Sequence, residues 1–333
     1  LFMSLDNNNR PFSLPLPAKV SDIRYAGRLD LPFNKIASGI RICAYNGEAR
    51  GLGESTDTKY WKPLTSSDVL SPSMGYIIAA KRLKNETCAN LRFRMKWNKL
   101  WTEDGEQGEI VEDGLAMQRN QVAVGAWGVG TSVTENNQGW NYVSNPYFST
   151  LSLAETEQLR YATIPRATMS DYDQVPLSEA NLLPMSGFFV QMGESVNLTF
   201  SVNPVLEAPQ RTLSPEQNLY LRVTGNNQSD IFGLIIADRY TDQYDFNADL
   251  SKELGSANTL RAYTIYDGMK MAYLALNSSL LTTAIPVSVR VPEDGSYTFS
   301  LDAHSVLSDS QTFYLVDGIT HENVDLSRHV ASF

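Results

Sequence analysis

Leu70-Ser71-Pro72-Ser73-Met74-Gly75-Tyr76-Ile77-Ile78 and Leu182-Leu183-Pro184-Met185-Ser186-Gly187-Phe188-Phe189-Val190 are one phrase written twice, Leu-x-Pro-x-x-Gly followed by an aromatic and two apolar residues. Proline and glycine punctuate a turn, and the aromatic-aliphatic run after them is strand material. Each copy leads into a second run with period-two alternation: Leu91, Phe93 and Met95 after the first, Val196, Leu198 and Phe200 after the second. A repeated turn-strand phrase predicts architectural duplication within a β-rich fold. Gly187 is expected to take a backbone conformation barred to other residues, with Phe188 and Phe189 on opposite faces of their strand.

The same punctuation extends outward. Residues 23–28 and 40–45 read as short strands, with Asn46-Gly47 as a hairpin-type turn. Beyond residue 217 the alternation is clean: Leu219, Leu221 and Val223, then Tyr297, Phe299 and Leu301, with apolar runs at 231–237 and 285–291 between them. Strands at this pitch with turn signals between them mark a sandwich or jelly roll. Residues 203–217, rich in proline and polar groups, form the best boundary. The expected architecture is all-β, two β-sandwich (jelly-roll-like) domains in tandem. Residues 1–20 read as a linker or irregular edge, 21–205 as an N-terminal sandwich carrying the duplication, and 206–333 as a C-terminal one.

Composition narrows the habitat. The 333 residues include 27 Lys and Arg against 37 Asp and Glu, a net charge of −10. Phosphate binding needs a basic surface, so nucleic acid is not an expected partner. The charged fraction is low, 19%, and polarity comes instead from Ser, Thr, Asn and Gln, a mix that suits solvated sheet faces outside the cytoplasm. No apolar run approaches the roughly 20 residues of a membrane helix, so membrane insertion by this segment is not expected. The first residues lack the basic and apolar regions of a signal peptide.

Candidate chemistry is sparse. The sequence holds no His-Glu-x-x-His, Gly-x-Ser-x-Gly, P-loop or paired-cysteine metal pattern. Asp238, Asp242, Asp245 and Asp249, with Asn247, form the densest oxygen cluster; calcium takes six to eight oxygens, but short acids and asparagine equally make turns and caps. Tyr60, Trp97 and Trp101 are the candidates for stacking on a sugar ring. Cys43 and Cys88 are the only cysteines. Paired outside the cell, they would close a loop worth about 4 kcal/mol; the alternative is one buried thiol and one incidental one. Catalysis and a resident cofactor are not expected.

Residues 139–147, Gly139-Trp140-Asn141-Tyr142-Val143-Ser144-Asn145-Pro146-Tyr147, followed by Pro184-Met185-Ser186-Gly187-Phe188-Phe189-Val190, resemble a pair of phrases found in large surface and secreted proteins of the Bacteroidetes type. In that group a β-rich module follows, opening near a Leu-Arg-Val strand (here 221–223), with an Asp-containing loop (238–249) and a late strand-turn (314–317). The resemblance spans most of residues 60–325. It implies a β-sandwich build and a cell-surface or secreted location, outer-membrane-associated, and it implies no reaction. Many such proteins end in a sorting domain for type IX secretion, a pattern not recognised in this sequence. Physically, Trp140 and Tyr142 share one face of a strand, and Asn145 before Pro146 is pushed to extended geometry that ends it. These aromatics read as core more readily than as a sugar platform. The functional expectation is a non-catalytic surface or secreted module with a scaffolding or adhesion role beside other domains or surface proteins. The alternatives are a carbohydrate-binding module of a glycan-utilisation system and, further off, a glycan-active enzyme.

Overall fold

The computed structural model of the chain describes residues 2–5, 8–25, 39–54, 60–81, 89–93, 110–112, 115–117, 121–147, 150–153, 156, 159–166, 169, 171–200, 216–308, 312–326 and 331–332. Regular structure among them is almost entirely strand, and the fold is all-β. The chain divides into two compact units, Leu1–Ser170 with Pro176–Ala208, and Asp171–Val175 with Pro209–Phe333.

In the first unit the strand that follows the first phrase, Tyr76–Ala80, lies between Arg10–Phe12 and Ile40–Tyr45, with Trp61–Pro63 outermost. A three-stranded sheet has the order Phe2–Leu5, Ala89–Arg92, Arg24–Tyr25. Strand alternation sends Ile40, Ile42, Tyr76 and Ile78 to one side, where they share a core with Ala89 and Leu91. Within residues 10–20, Ala18–Lys19 pairs with Val69–Leu70 in a ladder of its own. Arg10–Phe12 is an edge strand, and Phe12, Leu14, Leu16, Ala18 and Val20 are buried. Pro11, which cannot donate to a ladder, is tolerated because the strand is an edge.

Asn46-Gly47 is not a hairpin turn. Asn46 caps a short helix, Gly47–Gly51, by accepting a hydrogen bond from the Ala49 amide at 3.2 Å. Asparagine serves both roles, and the residues after it decide between them: here they are Glu48 and Ala49, good helix formers.

The two copies of the repeated phrase meet on one strand, Trp140–Ser144. The second copy supplies a full antiparallel partner, Gly187–Gln191, paired from Trp140↔Gln191 to Ser144↔Gly187. The first copy supplies its turn: the Gly75 amide donates to the Tyr142 carbonyl at 3.2 Å, and the Ser144 amide donates to the Ser73 carbonyl at 3.1 Å. Both phrase glycines abut the Tyr142 ring. A Cβ at Gly75 would lie 2.5 Å from Cδ1, and one at Gly187 would lie 2.5 Å from Cζ and Oη. This close approach is what Gly187 is for. The left-handed residue of its turn is instead Met185, at φ 65°. The Ser186 amide closes that turn on the Leu183 carbonyl at 3.2 Å, with Pro184 second and Met185 third, the arrangement of a type II turn.

The second unit is one broad sheet. Its order is Val287–Arg290, Arg261–Tyr266, Met269–Leu276, Gln228–Ile236, Gln217–Gly225, Thr298–Leu301 and Ala331–Ser332, with Leu250–Ser251 paired beside Met269–Leu276. Two of its hairpins turn through adjacent residues of positive φ, Asn226-Asn227 and Asp267-Gly268, the requirement of a type I′ turn. One face of the sheet meets a separate two-stranded hairpin, Tyr314–Val316 with Asn323–Asp325. The segment Asp171–Val175 belongs to this unit through polar side chains: Gln174 donates to the Ser251 carbonyl and accepts from the Glu253 amide, at 2.9 and 2.8 Å.

Gly187→Ala is expected to lower the free energy of unfolding by about 1–3 kcal/mol, because the added methyl overpacks the Tyr142 ring. Gly318→Ala, whose Cβ would meet nothing within 4 Å, is expected to stay within about 0.5 kcal/mol of wild type. Urea denaturation of the two variants checks the pair.

Candidate functional site

Phrases that look like site motifs turn out to be framework. Trp140, Tyr142, Phe188 and Phe189 are buried. Phe189 stacks on Tyr142 with centroids 4.3 Å apart and meets the edge of Trp140 at 6.3 Å, so both rings of the strand face it; Phe188, on the other face, meets Phe200 at 6.1 Å. Gly139, at φ 72°, starts the strand. Asn141 makes four hydrogen bonds. It accepts from the Gly125 amide and Trp127 Nε1, both at 2.9 Å, and donates to the carbonyls of Gly125 and Gly139 at 2.8 and 2.9 Å. Asn145 donates to the Leu182 and Leu183 carbonyls at 3.0 and 3.2 Å and accepts from the Tyr147 amide at 2.9 Å. It thereby ties the end of the strand, just before Pro146, to the turn around Pro184.

The acidic loop is likewise bound up in its own backbone. Asp249 is buried; its Oδ1 accepts from the Ala275 amide at 2.6 Å and its Oδ2 from the Asp245 amide at 2.7 Å. Asp245 accepts from the Asn247 amide at 2.9 Å. Asp238 and Asp242 are exposed, and no three of the four acids bring their carboxylate oxygens within 4.8 Å of one another. Tyr60 is half-buried, with its carbonyl taken by the Asn46 amide at 2.7 Å. Trp97 and Trp101 lie outside the described residues, and so does Cys88. Cys43 is a free thiol in the core, and burial pushes its pKa up.

The second unit has a concave surface that no sequence motif marks. A cleft of about 830 Å³ lies between the broad sheet and the Tyr314–Val316 hairpin. Its floor is Leu221, Phe232, Leu234 and Phe299; Phe313 and Leu315 form one wall, and Val287 and Val289 of the outermost sheet strand form the lip. The ionisable groups among its lining residues are the Tyr314 phenol and Asp317. Asp317 is occupied: it accepts from the Ile319 amide and Thr320 hydroxyl at 2.8 and 2.7 Å, and these bonds hold its carboxyl below the usual range. The rim carries side chains open to water, with Tyr314 58% and Val316 55% exposed. Openings of this size with an apolar lining are suited to apolar groups. Among the described residues, its walls carry no facing carboxylates and no nucleophile-base pair. The signal for it was present in the alternation of 219–223 and 285–291, but alternation reports that a face is covered, not how completely.

Comparison with known proteins finds no matching family model, no similar curated protein and no similar solved structure.

Asp249→Ala, which strips two backbone amides of their buried acceptor, is expected to cost about 2–4 kcal/mol of stability. Asp242→Ala, on an exposed side chain, is expected to cost under about 0.5 kcal/mol. Thermal unfolding of the two variants compares them directly.

Proposed function

We propose that this chain is a non-catalytic module of a cell-surface or secreted assembly, and that it joins its neighbours through the cleft of the second unit. One observation carries the reading: an open apolar trough runs beside an outermost strand, Val287–Arg290, whose far edge pairs with no other strand among the described residues. Unpaired strand edges are templates for addition of another strand. An extended segment from a neighbouring subunit would hydrogen-bond along that edge and place every second side chain over Val287, Val289 and Leu315. Backbone pairing would supply affinity, and the apolar trough would select for alternation. The acidic, Ser/Thr/Asn/Gln-rich composition supports an exported setting.

The test uses a fluorescent peptide alternating valine and threonine, titrated with the full chain and followed by polarisation. Wild type is expected to bind, and Leu315→Asp to weaken binding by about tenfold or more, because a carboxylate in the trough loses its hydration. No binding of any alternating peptide would overturn the attachment role. Turnover of a polysaccharide or peptide would overturn the non-catalytic one. Glycan-array binding abolished by Tyr60→Ala would move the reading to a carbohydrate-binding module.

A further inference from the structure

The ladder of the broad sheet opens at one end. Gln228–Ile236 pairs in parallel with Met269–Leu276 from Gly233 to Ile236. Toward Gln228 the link to residues 260–262 runs through side chains instead. Gln228 Oε1 accepts from the Leu260 amide at 2.7 Å, and Asp230 Oδ2 accepts from the Ala262 amide at 2.8 Å. Lys252 reaches into the same opening. Its Nζ lies 2.7 Å from Asp230 Oδ2 and donates to the Ile231 carbonyl at 3.1 Å, and the two side chains are only 1% and 6% exposed.

We propose that Lys252 and Asp230 condense into an intramolecular amide, Nζ to Cγ, which ties residues 250–252 covalently to the Gln228–Ile236 strand. Burying two full charges is costly even when they are paired, and a neutral amide removes that cost. Burial drives the Lys252 amine toward its neutral form; Asp230 opposes this and the Arg261 charge adds to it. The amine and carboxyl are held in contact, so the reaction is intramolecular and already oriented.

The step balances without a cofactor. One proton passes from the ammonium to the carboxylate, leaving an amine against a carboxylic acid. The Nζ lone pair adds to Cγ. The negative charge that develops on Oδ2 falls where the Ala262 amide already donates, the placement that stabilises a tetrahedral intermediate. A second proton moves from Nζ to the Oδ1 hydroxyl, the Cγ–Oδ1 bond breaks, and water leaves. The product has one carbonyl oxygen and one N–H. The oxygen keeps the Ala262 amide as donor, and the N–H keeps the Ile231 carbonyl as acceptor. The amide thus uses the hydrogen bonds that the ion pair has in place.

Intact-mass spectrometry of the purified full chain in denaturant tests this. Wild type is expected to weigh one water less than its sequence, and proteolysis to release a branched peptide joining the segments that contain Asp230 and Lys252. Lys252→Arg is expected to restore the full mass. A wild-type chain at full sequence mass overturns the proposal. So does a one-water deficit that survives Lys252→Arg, or one that fragmentation places elsewhere. The branched peptide is read on wild type, so the result does not depend on the variant folding.

Discussion

The first unit depends on the seating of one ring. Tyr142 lies against the backbone at Gly75 and Gly187, and any side chain at either position would occupy the space the ring fills. Interiors are packed at crystal-like density, so such a fit has no slack to give. Around the ring, the Trp140–Ser144 strand takes a full ladder from Gly187–Gln191 and two turn hydrogen bonds from residues 73–75. The duplicated phrase is therefore a pair of brackets around a third segment. Asn141 and Asn145 fix that segment lengthwise by satisfying backbone groups that the ladder leaves open.

The second unit solves a different problem. Its sheet is long, mixed and split, and the split is filled by side chains that imitate a ladder: Gln228, Asp230 and Lys252 each take a backbone partner. One face is tied down by the polar segment Asp171–Val175, including a hydrogen bond from Tyr273 Oη to the Gln174 carbonyl at 3.0 Å. On the other face a two-stranded hairpin packs through Leu315 and Val324 and leaves a trough open beside it. One face is pinned by buried polar contacts and the other holds an unfilled apolar opening.

The candidate residues of the sequence divide by physical cause. The 139–147 phrase reads as core and is buried, because large aromatics at period two have little alternative to packing inward. The acidic loop had two readings, ligand set or turn caps, and composition alone does not separate them. The structure shows the carboxylates of Asp245 and Asp249 on backbone amides. Asn46-Gly47 reads as a hairpin turn because Asn-Gly favours one, yet the helix formers after it turn the same asparagine into a cap. The hairpins at Asn226-Asn227 and Asp267-Gly268 had a legible signal, paired residues tolerant of positive φ, that the strand alternation around them overshadowed.

Local chemistry alone determined the strand character of this chain, its turns and its inward-facing aromatics. Alternation, proline and glycine act through neighbours one to four residues away and can be read in a line of text. Tertiary structure alone decided that both phrase glycines serve Tyr142, that residues 171–175 join the second unit, that Lys252 meets Asp230, and that the hairpin leaves a trough uncovered. Each of these joins residues far apart in sequence, or depends on how much of a face another layer covers, and no local pattern encodes either.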